Sequence, residues 1–348
     1  MKNKTWMKEI AVAAIAAMSM GMLAGCGGGA ADSEDTQAQN DGKMYKVGIV
    51  QTIQHGALDQ ANQGMLDGLK DNGFEDGVNL EIDSQNAQGD QSNLQNIAQQ
   101  FVANEDDLIL AIATPAAQTV AAATTDIPIV GTAITSYTDA NLVQSDEAPG
   151  TNVTGTSDMN PIEAQLKLML QLVPDAKTVG TIYTSSEANS QVQIDILKKT
   201  AESMGLTVVD RSISTVNDIQ QAAQSLVGEV DAIWLPTDNN IASAMPQVVG
   251  VTDEAGVPVI CGEESMVRAG GTATYGFSYY QLGYKAGVMA AQILKGEATP
   301  AEMPIQYMAE EDCVAIVNTD ALAALGMEAP ADLLEKATQV TTGSTAEK

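Results

Sequence analysis

The fold of this chain is decided by the segment Asp107-Leu-Ile-Leu-Ala-Ile-Ala-Thr-Pro-Ala-Ala-Gln118. Residues Leu108 to Ile112 are wholly apolar, as a parallel strand covered on both faces requires, and Thr114 and Pro115 suit the N-cap and first position of a helix. A helix N-terminus binds small anions such as a carboxylate, and in an open α/β sheet it lies at the ligand-binding edge. We therefore expect a ligand site at Thr114, Pro115 and Ala116.

A second segment repeats the pattern, with an acidic residue, an apolar strand and a polar turn: Asp231-Ala-Ile-Trp-Leu-Pro-Thr-Asp-Asn239. Each unit is followed by a short strand that begins near a proline, first in Asp126-Ile-Pro-Ile-Val130 and then in Gly256-Val-Pro-Val-Ile260. The repetition predicts two similar lobes that face each other and enclose a small molecule. Asp238 is either a helix cap or the counter-charge for a ligand ammonium group.

Strand and helix patterns alternate along the rest of the chain, which predicts the α/β class with two doubly wound parallel-sheet lobes joined by a three-strand hinge. We expect lobe 1 to comprise residues 44–155 and 279–303, and lobe 2 to comprise residues 156–277 and 305–328. The chain would cross between the lobes near residues 152–156, 272–277 and 305–307. Residues 329–348 are expected to form a C-terminal tail.

The N-terminus has the pattern of an export signal over residues 1–25, with Lys2, Lys4 and Lys8 before a short apolar segment. This segment ends in Leu-Ala-Gly-Cys26, which resembles the bacterial lipobox, in which the cysteine is lipidated. A plain secretory signal with an incidental cysteine is the alternative. Residues 26–43 are rich in Gly, Ala, Asp and Gln and predict a flexible tether. We expect a protein anchored by lipid at Cys26 to the extracytoplasmic face of the cell membrane.

Composition excludes several classes of function. The formal net charge of −29 makes nucleic acid an improbable partner, because phosphate repels such a surface. The chain has one histidine and no nucleophile elbow, zinc-protease or phosphate-loop motif, so we expect no enzyme, metal site or cofactor. Cys261 and Cys313 are either paired or buried free thiols.

Five segments carry a family resemblance: Gln54-His-Gly-Ala-Leu-Asp59, Ala113-Thr-Pro-Ala-Ala-Gln118, Asn152-Val-Thr-Gly-Thr-Ser-Asp158, Tyr183-Thr-Ser-Ser-Glu-Ala-Asn-Ser190 and the Asp231–Asn239 segment. In order and spacing they resemble ABC transporter substrate-binding lipoproteins of the tryptophan/tyrosine-uptake type, within the type I periplasmic-binding-protein fold. The resemblance implies a monomer that captures a small solute, closes its lobes and delivers the solute to a membrane permease. Three alternatives remain: a receptor of the same fold for a membrane sensor, a binding protein for a nucleoside or sugar, and a small-molecule enzyme.

We predict that the solute is a zwitterionic amino acid with an apolar or aromatic side chain. His55 either lines the pocket or bonds backbone, Tyr137 either stacks on a ligand ring or packs on the surface, and Ser185, Ser186 and Asn189 either cap a helix or face Thr114 across the crevice. The predicted ligand-binding residues are His55, Asp59, Thr114, Pro115, Ala116, Thr135, Ser136, Tyr137, Ser157, Asp158, Ser185, Ser186, Asn189, Asp238, Asn239 and Glu264.

Overall fold

The computed structural model describes residues 42–346, which form two α/β lobes and confirm the predicted fold class. The expected signal peptide over residues 1–25, Cys26 and nearly all of the tether lie outside these residues. Within the described part of the chain, no helix has the length and apolar character needed to cross a membrane.

Lobe 1 begins with alternating strands and helices, as the sequence predicts. Its elements up to the first crossing are β1 (Tyr45–Gln51), α1 (Gly56–Asp71), β2 (Leu80–Asn86), α2 (Gln91–Ala103), β3 (Leu108–Ile112), α3 (Thr114–Ala123), β4 (Ile129–Ile134) and β5 (Val153–Ser157). Every residue of β3 is buried, and the apolar run Leu108–Ile112 is a central strand of this lobe.

Lobe 2 repeats this alternation. Its elements up to the second crossing are α4 (Ile162–Leu172), β6 (Thr178–Thr184), α5 (Ala188–Ser203), β7 (Thr207–Ile213), α6 (Ile219–Leu226), β8 (Ala232–Trp234), α7 (Asn239–Ser243), α8 (Met245–Ala255), β9 (Val259–Ile260), α9 (Glu264–Arg268) and β10 (Ala273–Gly276). Trp234 is fully buried in the core of this lobe, where its indole Nε1 donates to Gln165 Oε1 at 2.9 Å.

The chain returns to lobe 1 for α10 (Tyr279–Leu294) and β11 (Gln306–Tyr307) and then to lobe 2 for β12 (Val314–Asn318), α11 (Thr319–Leu325), α12 (Ala331–Lys336) and β13 (Thr338–Val340). Two expected boundaries of lobe 1 are wrong. We expected residues 305–307 to cross to lobe 2, but Gln306 and Tyr307 pair with Thr156 and Ser157 at the edge of the lobe 1 sheet. Lobe 1 therefore also includes β5 up to Ser157, beyond the expected limit at residue 155.

The expected C-terminal tail is also wrong, because residues 329–348 include α12 and β13. β13 pairs in parallel with β12, and the side chains of Leu333 and Val340 are buried against lobe 2. A three-residue strand has too few residues to show a pattern, and the exposed edge of β12 supplies the hydrogen bonds that hold it.

The two sheets have the same strand order around their centres. Lobe 1 has the order β11-β5-β4-β3-β1-β2 and lobe 2 has β13-β12-β10-β9-β8-β6-β7, with β12 antiparallel to β10. In each lobe the first strand therefore lies between the second and third strands of that lobe. Ligands in such sheets bind where the order reverses, at the carboxyl ends of the first and third strands. The fold thus predicts one half-site at the ends of β1 and β3 and the other at the ends of β6 and β8.

Candidate functional site

His55 follows β1 and occupies the N-cap position of α1, where its side chain makes no capping bond. Its Nε2 lies 3.4 Å from Asn239 Oδ1 of lobe 2, so the loops predicted to face each other are in contact. His55 Nδ1 is buried without a hydrogen-bond partner among the described residues. Burial lowers the pKa of His55 to about 4, although the bond with Asn239 and the charge of Asp59 oppose the shift. The imidazole is therefore neutral at physiological pH.

The turn after β3 has a strained backbone at Ala113, and one of the amide donors that follow it is already hydrogen-bonded. Ala113 has φ 79° and ψ 157°, a backbone conformation that is costly for any residue except glycine. The Thr114 hydroxyl is buried without a partner, as a ligand contact requires. The Ala116 amide, which we expected to be free for an anion, instead donates to Thr52 Oγ1 at 3.2 Å, so the helix start offers fewer free donors than predicted.

Pro115 and Ser186 line a common cavity of about 350 Å³, whose other lining residues belong to α2 and α3. Ser186 is exposed, and Ser185 donates its hydroxyl to the Ile213 carbonyl at 3.1 Å, so Ser185 is held within lobe 2.

The half-site of lobe 2 is organised around a buried carboxylate that the sequence analysis missed, that of Glu187. It accepts hydrogen bonds from Asn189, Asn239 and Asn240. Asn189 Oδ1 is buried without a partner in the described structure. Burial, and then the negative charge of Asp238, raise the pKa of Glu187 to about 8. Glu187 stands in the quoted segment Tyr183–Ser190, but nothing in the sequence distinguishes it from the other carboxylates of this acidic chain.

Asp238 does not have the free acceptor capacity that an ammonium partner needs. Its two oxygens accept from the Thr184 amide at 2.6 Å, the Thr184 hydroxyl at 2.9 Å, the Ser190 hydroxyl at 2.8 Å and the Ile241 amide at 3.1 Å. These four donors use the lone-pair positions of a carboxylate. Asp238 therefore joins β6, α5 and α7 and acts as the N-cap of α7, which was the other interpretation of its sequence position.

Asp158 lies at the first crossing and has only two side-chain donors. Its Oδ1 accepts from Thr135 at 2.9 Å and its Oδ2 from Tyr279 at 2.7 Å, although the side chain is 4% exposed. Burial raises the pKa of Asp158, and the bonds from Tyr279 and Thr135 oppose the shift. The Tyr279 ring stacks on Phe277 with 6.0 Å between centroids. The carboxylate at the first crossing is thus bonded by Tyr279, on which Phe277 stacks.

A polar network links Asp158 to lobe 2. Thr135 Oγ1 lies 3.4 Å from Thr237 Oγ1, and Gln193 Nε2 donates to Thr237 Oγ1 at 2.7 Å and to Thr135 Oγ1 at 3.3 Å. Thr135 was predicted, whereas Gln193, Thr237, Phe277 and Tyr279 were not. Phe277 ends the segment 272–277, which the sequence predicts to cross between the lobes, and this prediction is the signal that could have identified Phe277 as a hinge residue.

The prediction that Tyr137 stacks on a ligand ring or packs on the surface is wrong. Its ring is fully buried in the core of lobe 1, and its hydroxyl donates to the Thr156 carbonyl at 3.1 Å. Gly131 and Gly155 leave the space that its hydroxyl occupies.

Four other predicted residues bond within their own surroundings. Ser136 stabilises a turn through Asp139, and Ser157 donates to the Thr135 carbonyl at 2.8 Å. Asp59 accepts from Gln51 at 2.8 Å and is exposed, while Glu264 forms an ion pair of 2.6 Å with Arg268. These bonds supply no argument for ligand contact.

No group of histidine, cysteine, aspartate or glutamate side chains within residues 42–346 is arranged to hold a metal ion. Cys261 and Cys313 are free thiols, Cys261 buried and Cys313 half-buried, which settles the alternative left open by the sequence. The site therefore consists of neutral amides, hydroxyls and one imidazole around a few buried carboxylates. This arrangement suits non-covalent binding of a small polar molecule.

Comparison with known proteins gives consistent matches across the described chain. A family model for ABC transporter substrate binding protein matches residues 46–341. A tyrosine-binding protein of Clostridioides difficile (strain R20291) is 42% identical over 313 residues, covering 89% of this chain and 90% of that protein.

Two solved structures are also similar. The domain from Streptococcus pneumonia in complex with L-Trp has a TM-score of 0.82 at 39% identity and covers 86% of this chain and 100% of that one. The ligand-free, open structure of a substrate-binding protein with adhesive properties from Clostridium difficile has a TM-score of 0.67 at 44% identity, with coverages of 86% and 100%.

Proposed function

This chain belongs to the ABC transporter substrate-binding proteins, and from that premise we propose that it binds an aromatic L-amino acid between its lobes and delivers it to a membrane permease. The names of the similar proteins, one tyrosine-binding and one in complex with L-Trp, support the ligand class. Proteins of this family act outside the cytoplasm, so the predicted export signal agrees with the family.

The observation that carries the proposal is that each lobe has unpartnered buried polar atoms in the segments that follow its central strands. His55 Nδ1 and Thr114 Oγ1 belong to lobe 1, and Asn189 Oδ1 belongs to lobe 2. Leaving a buried polar atom unpaired costs about 1–3 kcal/mol, so a ligand with several polar groups gains by pairing with all three. An amino acid offers an ammonium as donor and a carboxylate as acceptor.

We place the ammonium of the ligand at Asp158 rather than at Asp238. Asp158 accepts from two side chains and from its own backbone amide, whereas Asp238 accepts from two side-chain hydroxyls and two backbone amides, so Asp158 keeps more acceptor capacity. Tyr279 bonds Asp158 and Phe277 stacks on Tyr279, and both rings belong to the lobe 1 core.

The test is isothermal titration of wild type and Asp158→Asn with L-tryptophan and with its deaminated analogue, indole-3-propionate. Asp158→Asn is expected to weaken L-tryptophan about 30-fold or more, which corresponds to about 2 kcal/mol, and to affect the analogue much less. Asp126→Asn, an exposed change in lobe 1, is the matched control and should leave both affinities unchanged.

Equal losses for the two ligands would remove Asp158 from this role while leaving the ligand class intact. A wild-type protein that binds none of L-tryptophan, L-tyrosine and L-phenylalanine would overturn the proposed ligand class.

We further propose that Cys26 carries the lipid that anchors the protein to the membrane. The basic N-terminal residues, the short apolar segment and Leu-Ala-Gly-Cys26 support this proposal. Cys26→Ala should abolish incorporation of labelled fatty acid, and labelling that persists unchanged would contradict it.

A further inference from the structure

Glu187 collects five hydrogen bonds from three asparagines. Its Oε2 accepts from Asn189 Nδ2 at 2.9 Å, Asn239 Nδ2 at 2.7 Å and the Asn239 backbone amide at 3.1 Å. Its Oε1 accepts from Asn240 Nδ2 at 3.1 Å and the Asn240 backbone amide at 3.3 Å. Glu187 is 4% exposed, so its carboxyl group is shielded from water and is hydrogen-bonded by these three residues.

These bonds determine which way two amide oxygens point. Both oxygens of Glu187 accept from asparagine Nδ2 atoms, so each asparagine presents its NH₂ group to Glu187 and turns its oxygen away. Asn239 Oδ1 consequently lies 3.4 Å from His55 Nε2 of lobe 1. Asn189 Nδ2 also donates to the Thr237 carbonyl at 3.0 Å, which leaves Asn189 Oδ1 buried and unpaired.

The position of Asn189 shows where its missing donor comes from. Gln193, one helical turn later on α5, bonds Thr135 of lobe 1, and Ser186, just before α5, shares a cavity with Pro115 of lobe 1. Asn189 therefore lies on the side of α5 that faces the other lobe. A molecule held between the lobes is the available source of a donor for its oxygen.

We propose that Glu187 is a positioning residue that fixes the amides of Asn189 and Asn239 so that the Asn189 oxygen accepts a hydrogen bond from the bound ligand. This inference rests on the proposed function, since it requires a ligand with a donor between the lobes. Glu187 does not itself bind the ligand, because all five of its bonds are internal to lobe 2. The donor is the ammonium or a polar hydrogen of the aromatic ring.

Glu187→Gln is the informative variant. In either orientation of the new amide, an NH₂ group faces donors, two from Asn240 or three from Asn189 and Asn239. The orientation of Asn189 is then no longer fixed. Titration at about pH 8.5, where the wild-type carboxyl is mostly ionised, should show a loss of L-tryptophan affinity of about tenfold or more.

A second change tests whether Glu187 acts through Asn189. If it does, the losses of L-tryptophan affinity in Glu187→Gln and in Asn189→Ala should not add, and the double variant should bind within about threefold of Asn189→Ala alone. Glu263→Gln is the matched control, since Glu263 is also a buried carboxylate that caps a helix but bonds only Ser265 and Met266. Asn189→Ala should weaken L-tryptophan binding by Glu263→Gln as much as it weakens binding by the wild type.

The asparagine amides can also be followed without ligand. In nuclear magnetic resonance spectra, the side-chain NH₂ protons of Asn189 should exchange slowly in the wild type and faster in Glu187→Gln. Wild-type affinity in Glu187→Gln, or losses that add fully in the double variant, would overturn the positioning role and leave the proposed function standing. Absence of binding of L-tryptophan, L-tyrosine and L-phenylalanine by the wild type would overturn the proposed function and this inference together.

Discussion

Helices α1 and α10 approach so closely that a methyl group at Gly64 has no room. A Cβ atom added at Gly64 would lie 2.8 Å from the Tyr284 nitrogen and still closer to the Tyr280 carbonyl oxygen. Gly68 on α1 and Gly283 and Gly287 on α10 meet the backbone of the opposite helix in the same way. The contact is made of backbone, which cannot rotate away as a side chain can.

The expected effect of Gly64→Ala follows from two opposing terms. Forcing a methyl into a packed contact costs about 1–3 kcal/mol, and the upper end applies here because the two helices must move apart by about 1 Å. Alanine is better than glycine inside a helix by about 1 kcal/mol. The variant should therefore lose about 2 kcal/mol of unfolding free energy. It should also weaken ligand binding, because displacement of α10 moves Tyr279, whose hydroxyl bonds Asp158.

Urea unfolding followed by circular dichroism would measure the change, with Gly250→Ala as the matched control. Gly250 lies inside α8, and a Cβ atom there would meet nothing within 4 Å. This control should gain up to about 1 kcal/mol from helix propensity alone. If Gly64→Ala were as stable as Gly250→Ala, the argument from backbone contact would be refuted.

Two further predictions concern the crevice loops. The pKa of His55 is lowered by burial to about 4, so the unfolded chain binds the proton first and the unfolding free energy falls as pH drops from about 6.5 to 4. His55→Asn should remove about 1–2 kcal/mol of this fall, measured as the difference in urea midpoint between pH 7 and about pH 4.5, and an unchanged difference would contradict it. Ala113→Gly should raise the unfolding free energy by about 1 kcal/mol, because glycine adopts φ 79° without strain, whereas Ala122→Gly in the exposed part of α3 should lower it by a similar amount. A lower thermal midpoint for Ala113→Gly than for wild type would show that the turn is not strained.

The sequence by itself determined the central strands and the loops that follow them. β3 falls on Leu108–Ile112 as predicted, and α3 begins at Thr114, one residue before the predicted Pro115, with Ala113 rather than Thr114 at its N-cap. The short apolar run and the proline after it act through local geometry. The repeat at Asp231–Asn239 likewise predicted the second half-site. Both signals depend on neighbours in the chain, so no knowledge of the distant packing was needed.

Only the tertiary structure decided what individual side chains do. Tyr137 follows a strand in a polar turn, yet it is buried because glycines on two strands make room for its hydroxyl. Asp238 fits both a cap and a counter-charge, and donors from Thr184 and Ser190, far away in sequence, decided for the structural role. Glu187 is a residue whose role the sequence did not reveal at all. In an acidic chain every carboxylate looks alike until burial and the set of donors around it are known, and these depend on segments that only folding brings together.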